Sequence, residues 1–148
     1  MLVAQFQSYC RHLHDAAVDV HVAQAVSGQQ VMLLRLLTQD RKLDTQNPRR
    51  AALGADFGRL GFRFIDQLKT SGQSNEDALN HLEVLIDFRN AVGHGDEVSV
   101  ADIGRARGFR ATKAQYTQSR RIIEGLVVTM DDVVADQLDQ LLGIGRPW

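Results

Sequence analysis

Proline is almost absent from this chain, and that scarcity restricts its fold more than any other sequence feature. Only Pro48 and Pro147 occur among its 148 residues, so long segments keep every backbone N–H that a helix needs. Apolar residues recur at helical spacing in several of these segments, beginning with a stripe from Leu2 to Ala23. The first stripe predicts a helix over about residues 2–26, ended by Gly28.

Three further segments with apolar residues at helical spacing predict the other long helices, over about residues 48–71, 74–93 and 112–142. Each begins at residues that favour a helix start and ends near a glycine. The starts are Asn47 before Pro48, Ser74 with Asp77 as a capping box, and Thr112 with Gln115, and the ends are Gly72, Gly95 and Gly143.

The segments between these helices are less regular. The apolar run Val31–Leu37 is compatible with a short buried helix or with a strand. Because no other segment predicts a strand to pair with it, we interpret it as a helix. The polar residues 40–47 and the glycine-containing connection 95–111 predict loops. The expected fold is all-α, a single domain over residues 1–148 built as a bundle of four long helices plus one short helix.

Composition restricts the classes of function. The formal net charge is −1, so the chain as a whole is not attracted to nucleic acid or to an anionic membrane. No apolar run approaches the roughly 20 residues that span a bilayer, and the first residues lack the features of a signal peptide. Cys10 is the only cysteine, which suits a reducing compartment. We expect a cytoplasmic protein without a membrane partner.

Positive charge is concentrated in one segment. Residues 103–123 contain no Asp or Glu, whereas acidic residues gather in 76–102 and 124–139. Fourteen of the 17 cations are arginine, whose planar guanidinium suits bidentate phosphate contacts, although a GC-rich genome explains the same excess. A solvated surface segment would have the same composition as a phosphate-binding one. The candidate phosphate-binding residues are Arg105, Arg107, Arg110 and Lys113.

The segment Asp87–Gly95 carries the side chains best suited to catalysis. On an ideal helix Arg89 and His94 differ by about 140° and do not share a face. The glycines on both sides of His94 predict that the helix stops there and that the backbone turns the imidazole back toward Arg89. Such a histidine can transfer protons near neutral pH, and an arginine beside it can stabilise a negatively charged phosphate. Asn90 would orient the guanidinium or bind a substrate hydroxyl.

The same residues also permit a purely structural interpretation. A histidine followed by a glycine is an ordinary helix ending, and Arg89 can simply pair with Asp87 or Glu83. Spacing alone does not decide between the two interpretations, because groups with perturbed ionisation often have structural roles.

The string from Arg89 to His94, R-N-x-x-x-H followed by Gly95, resembles the signature of the HEPN superfamily of small helical-bundle proteins. An amphipathic helix leads into the string, a basic connection follows it, and a long striped helix comes next, so residues 48–142 resemble the HEPN core. Within the superfamily, the chain is most similar to RiboL-PSP-like and related bacterial proteins.

The resemblance implies a metal-independent endoribonuclease that needs no cofactor and acts as a homodimer, with the two motifs meeting at the interface. Arg89 and His94 match the catalytic pair of the family, and Asn90 matches its usual polar residue. The implied reaction is attack of an RNA 2′-hydroxyl on the adjacent phosphorus of a single strand. His94 would transfer protons and Arg89 would stabilise the phosphorane-like state, giving a 2′,3′-cyclic phosphate and a 5′-hydroxyl. Stress response or phage defence is the implied context.

One position departs from the pattern of HEPN toxins that are paired with a nucleotidyltransferase antitoxin. Many of them carry a tyrosine two residues after the histidine, where the antitoxin modifies them, and this chain has Asp96 there. Regulation by AMP transfer therefore does not carry over, and no antitoxin or operon partner is identified. Asp96 and Glu97 also place negative charge beside the expected RNA site.

Two functions from other classes stay open. Some HEPN proteins keep the fold without activity, so the chain can instead be a catalytically inactive module that binds RNA, a nucleotide or a protein. A DNA-binding regulator that uses residues 105–121 is the third possibility, although no helix-turn-helix pattern supports it.

The remaining histidines are weaker candidates. Cys10, His14 and His21 share one face of the first predicted helix, and the spacing of the first two fits a zinc ion. Because no fourth ligand lies nearby in sequence, a partly buried helix face is the favoured interpretation, and no metal is expected. His12 is predicted to be exposed, and His81 to lie on the surface or in a first helical turn.

Overall fold

The computed structural model describes residues 2–148, and in this part of the chain all regular structure is helical. Helices form 78% of the chain, without a strand in the described residues, which confirms the all-α fold class. Both prolines lie outside the helices. The eight helices found in residues 2–148 are α1 (Leu2–Gln24), α2 (Gln30–Thr38), α3 (Lys42–Thr45), α4 (Arg50–Arg59), α5 (Phe64–Thr70), α6 (Gln73–Gly93), α7 (Glu97–Arg107) and α8 (Lys113–Leu142).

The three longest helices, α1, α6 and α8, pack against one another and enclose the core. The shorter helices cover its sides: α5 packs on α6 and α8, α4 packs on α5 and α1, and α7 packs on α6. The apolar stripes read from the sequence face this core, because burial of those side chains stabilises the helices more than their intrinsic propensity does. The largest fully buried apolar side chains are Leu43, Leu53, Phe57, Phe64, Leu68, Leu79, Leu82, Ile86, Leu126, Met130 and Leu138.

The single helix expected over residues 48–71 is wrong, because the chain forms α4 and α5 with a turn between them. Gly61 adopts a left-handed φ of 82° in that turn. In a continuous helix Phe62 would lie about 140° away from Phe57 and point out of the core. The turn instead buries Phe62 as well, and Phe57 and Phe64 stack with their ring centroids 4.2 Å apart.

The loop expected over residues 40–47 contains the short helix α3. The carboxylate of Asp56 in the next helix stabilises α3, because it accepts hydrogen bonds from the backbone N–H of Lys42 at 2.8 Å and of Leu43 at 2.7 Å. These are unsatisfied donors at the start of a helix, so Asp56 does from a distance what a local capping residue does elsewhere.

The connection expected over residues 95–111 contains helix α7. Asp96 caps it by accepting a hydrogen bond from the backbone N–H of Ser99 at 3.0 Å. None of the α7 side chains is fully buried, which is why periodicity did not predict this helix. The bundle therefore has more, shorter helices than the four long ones and one short one expected.

The predicted helix starts are confirmed in one case and wrong in two. Thr112 caps α8 by accepting from the N–H of Gln115 at 3.2 Å. Neither Asn47 nor Ser74 caps a helix, because α4 and α6 follow Arg49 and Gly72 without a side-chain cap. At the other end of α8, Gly143 closes the helix with a left-handed φ of 65°, as predicted.

The apolar run Val31–Leu37 lies within α2, which confirms that it is helical. It is not buried as expected, since Leu37 is the only buried residue of the helix. None of the helices in residues 2–148 is both long and apolar enough to cross a lipid bilayer.

Candidate functional site

Helix α6 ends at the histidine of the motif. His94 is its C-cap residue, and the N–H of His94 still donates to the carbonyl of Asn90 at 3.0 Å. The next two N–H groups turn back, from Gly95 to the carbonyl of Val92 at 3.1 Å and from Asp96 to that of Ala91 at 2.9 Å. With Gly95 at a left-handed φ of 67°, this is a Schellman ending. The predicted helix end is confirmed.

The chain reverses only after His94, so the imidazole does not turn back toward Arg89 as expected. The two residues keep helical register, and their side chains leave α6 about 140° apart. His94 lines an open cavity of about 440 Å³ between the end of α6 and α7, shared with Asn90, Ser99 and Ile103. Arg89 is not part of that lining.

Arg89 is connected to the His94 cavity through two asparagines. Its Nη1 donates a hydrogen bond to Oδ1 of Asn47 at 2.7 Å. Nδ2 of Asn47 in turn donates to Oδ1 of Asn90 at 3.4 Å, and Asn90 lines the cavity beside His94. Asn47 therefore links Arg89 to Asn90, and Asn90 lines the same cavity as His94.

The carboxylates that Arg89 was expected to pair with in a structural role are bound by another arginine. Arg49 donates to Glu83 and to Asp87, each at 2.5 Å. The hydrogen bond with Asp87 is the main cause that raises the pKa of Arg49, and burial opposes it. Arg89 itself is exposed and forms no ion pair within residues 2–148. Its positive charge is available to a ligand.

A groove of about 680 Å³ runs beside Arg89 and brings it together with two of the predicted phosphate-binding residues, Arg110 and Lys113. Neither of these residues forms an ion pair in the described chain, and the groove is lined by no carboxylate. Apolar side chains form most of the remaining lining. They include Phe88 and Phe109, whose ring centroids lie 4.8 Å apart, and the exposed Tyr116 and Val92. The groove, which we call the cationic groove, is positively charged and partly aromatic.

The His94 cavity has the opposite charge. Its lining includes three carboxylates, each of which already has a partner. Asp87 pairs with Arg49, and Asp102 pairs with Arg105 at 2.5 Å. Hydrogen bonds from Ser99 lower the pKa of Asp96, and the positive charge of His94 lowers it further.

The four predicted phosphate-binding residues do not share one surface. Arg110 and Lys113 line the cationic groove, whereas Arg105 is neutralised by Asp102 at the edge of the His94 cavity. Arg107 is exposed in the last turn of α7 and lines neither of them.

The residues considered as zinc ligands belong to the core. Cys10 and His14 are fully buried, and His14 Nε2 lies 3.2 Å from the backbone carbonyl of Asp56. Burial raises the pKa of the Cys10 thiol and lowers that of His14. The partly buried helix face is confirmed. In residues 2–148 no three His, Cys, Asp or Glu side chains are grouped to hold a metal ion.

The two other predicted histidine positions have different outcomes. His12 is exposed, as predicted. The prediction for His81 is wrong, because this residue is half-buried in the middle of α6 and forms a hydrogen bond with Ser119 Oγ at 2.9 Å. Burial lowers the pKa of His81.

No local sequence pattern indicates the residues that hold Arg89 and Asp87 in place. The position of Asn47 before Pro48 predicts a helix cap. Its contact with Arg89 instead joins residues that are 42 positions apart. Arg49 reaches Asp87 across 38 residues. Contacts over such separations leave no local pattern in the chain. The sequence Asn47-Pro48 before Arg49 and Arg50 predicts only a helix start, and not these contacts.

Comparison of the chain with protein-family models, with curated proteins and with solved structures finds no match in any of the three.

Proposed function

We propose that this chain is a metal-independent endoribonuclease of HEPN type that cleaves single-stranded RNA. The observation that carries the proposal is the state of Arg89. It is exposed and lacks an ion pair within residues 2–148, although Glu83 and Asp87 lie on the same helix, because Arg49 binds both carboxylates. An exposed arginine kept free of carboxylates suits recognition of a phosphate.

The chemistry follows from the two side chains. The 2′-hydroxyl of a ribose attacks the adjacent phosphorus, its proton passes to a neutral His94, and the bond from phosphorus to the 5′-oxygen breaks. A protonated His94 gives a proton to the leaving 5′-oxygen. Arg89 stabilises the additional negative charge on the phosphoryl oxygens in the transition state. The products are a 2′,3′-cyclic phosphate and a 5′-hydroxyl, and all atoms come from RNA and histidine.

A homodimer fits this chemistry better than a monomer. Arg89 and His94 diverge around α6, and two proton transfers require a base and an acid in the same turnover. A second copy related by a twofold axis would supply the opposite half of each Arg–His pair, and the single His94 of a pair would accept the 2′-hydroxyl proton and then give a proton to the 5′-oxygen.

The cationic groove supports a single-stranded substrate. Arg110 and Lys113 can bind phosphates that flank the one at Arg89, and Tyr116 offers an exposed ring on which a base can stack. Bases are free to stack in this way only when they are not paired in a duplex.

The test is cleavage of a fluorescent single-stranded RNA in EDTA by the wild type, Arg89→Ala and His94→Ala. We expect cyclic-phosphate ends from the wild type and a loss of at least about 100-fold in each variant. Matched controls are Arg63→Ala and His12→Ala, which remove exposed residues of the same types elsewhere, and both should cleave like the wild type. Equal cleavage by all five proteins would indicate contamination and remove the assignment.

A catalytically inactive binding module is the second candidate, and the acidic lining of the His94 cavity favours it. Asp87, Asp96 and Asp102 line the cavity together with the histidine. Asp96 forms no ion pair within residues 2–148, and its negative charge opposes a phosphate there. Such a module would bind RNA without cleaving it, and Arg89→Ala would weaken binding whereas His94→Ala would not. Anisotropy titration of the same RNA with the same variants distinguishes the two functions.

A further inference from the structure

Helix α2 and the turn before it expose more large apolar side chains than any other stretch of similar length in residues 2–148. Val26, Val31, Met32 and Leu36 are 66–69% exposed, and Leu34 is 41% exposed. Five of the large exposed hydrophobic side chains of the described residues therefore lie within 11 consecutive positions. Single exposed apolar residues are common on proteins, but a contiguous group marks an interaction surface.

This surface exists because α2 packs mainly on a single helix, α1. The helix packs mainly on α1 and buries only Leu37 fully, with Leu33 half-buried. A nine-residue helix that contacts one other helix covers one stripe of its side chains, and the run Val31–Leu37 is apolar nearly all round. The apolar residues on the opposite side have no partner in residues 2–148.

We propose that the occupant of this surface is the same surface of a second copy of the chain. The five exposed side chains present roughly 500 Å², the size of the largest apolar patch of a typical monomer, which is often functional. Two such surfaces facing each other would remove on the order of 1,000 Å² of apolar area, enough for the centre of a specific interface.

The low charge of α2 favours a second copy of the chain over an anionic membrane as the occupant of this surface. Between Gln29 and Gln39 the only ionisable residue is Arg35. A helix that lies on an anionic membrane carries several Lys or Arg on its polar face, and this one has glutamines and Thr38 instead. Valine, leucine, methionine and a single arginine, without Lys, Asp or Glu, match the composition of interface centres.

The α2 surface is far from the proposed catalytic residues. Leu2 and Val3 at the start of α1 line the cationic groove beside Arg89, whereas α2 follows the opposite end of α1. The 23 residues of α1 separate these ends by about 30 Å. The α2 contact is thus independent of a contact at the motif, and with both present the chain would assemble into tetramers or longer arrays.

The experiment is sedimentation velocity of the full chain at about 50 µM, a concentration that populates any contact of micromolar affinity. Met32→Glu/Leu36→Glu introduces like charges on both facing surfaces, and we expect the mass of the assembly to halve. Val128→Glu is the matched control, because Val128 is 62% exposed on α8, and it should leave the mass unchanged. Met32→Gln/Leu36→Gln removes apolar area without charge and should weaken assembly by at least about tenfold, and circular dichroism checks that each variant is folded.

A wild type that is monomeric at this concentration overturns the proposal. The proposal is also overturned if both double variants form an assembly of the same mass as the wild type, since the assembly must then form through another surface. In that second case the catalytic proposal survives, because a dimer formed at Arg89 and His94 does not involve α2. Conversely, assembly through α2 without any RNA cleavage leaves this inference standing and removes the catalytic one.

Discussion

Asp56 is the buried side chain on which the structure next to the candidate site depends. Its carboxylate is fully buried and accepts the backbone N–H groups of Lys42 and Leu43 at 2.8 and 2.7 Å. These bonds hold α3, which leads within two residues to Asn47, the partner of Arg89. Removal of the carboxylate is therefore expected to reduce stability and to disturb the position of Arg89.

The size of the effect follows from these two bonds. A hydrogen bond to a charged acceptor contributes about 1.5–3 kcal/mol to the free energy of unfolding. A buried donor left without an acceptor lowers it by a similar amount. Local unfolding of α3 would let water reach the N–H of Lys42, so the two contributions are not fully additive. For Asp56→Ala we expect a fall of about 4 kcal/mol in the free energy of unfolding, and roughly 10 °C in Tm. Asp56→Asn keeps one acceptor oxygen and should lose roughly half as much.

Urea denaturation followed by circular dichroism measures this difference. The control is Asp44→Ala, which removes an exposed carboxylate that pairs with Arg41 and Arg11 on the same side of the molecule. The Asp44 side chain is 45% exposed and Arg41 keeps its second partner, Asp15, so the loss should stay at about 1 kcal/mol. If Asp56→Ala is no more destabilising than Asp44→Ala, the two backbone bonds do not hold α3, and the reasoning is wrong.

Two further changes test the electrostatics of the chain. Arg49→Ala leaves Asp87 unpaired beside His94, so RNA affinity should fall by roughly tenfold at low salt and by less at high salt, and a salt-independent loss in anisotropy titrations would contradict this. Burial lowers the pKa of His14 below its ordinary value of 6.5. Below about pH 6.5, His14 is therefore protonated more in the unfolded chain than in the folded chain. The free energy of unfolding from urea titrations should therefore fall between pH 7.5 and 5.5, and His14→Gln should show a smaller fall if this residue is the cause.

Features determined by neighbouring residues were predictable from the sequence. Thr112, Gly95 and Gly143 mark helix ends through local backbone geometry, and each lies where the pattern placed it. Apolar periodicity likewise predicted the three longest helices, because a stripe that is repeated over five or more turns has few alternatives to one buried face.

Features determined by distant residues were not predictable. Helix α3 requires Asp56, which is 13 residues after Leu43, and the turn at Gly61 exists because Phe62 gains burial there. The free charge of Arg89 likewise depends on Arg49, since Asp87 pairs with that residue 38 positions away. In each case tertiary packing overrides a local preference, and a single sequence does not display the pairing.

The divergence of Arg89 and His94 around α6 leads to the strictest test of the proposed mechanism. If each active pair combines Arg89 of one copy with His94 of the other, an Arg89→Ala chain and a His94→Ala chain together still contain one intact pair. A mixture of the two inactive variants, allowed to exchange subunits, should then recover up to about a quarter of wild-type cleavage, since half of the dimers are mixed and each has one of two pairs. If the pair forms within one chain instead, no mixed dimer contains an intact one. A mixture that stays inactive, although exchange is seen by mass spectrometry, would show that the two side chains must meet within a single copy, by a rearrangement of α6 after Asn90.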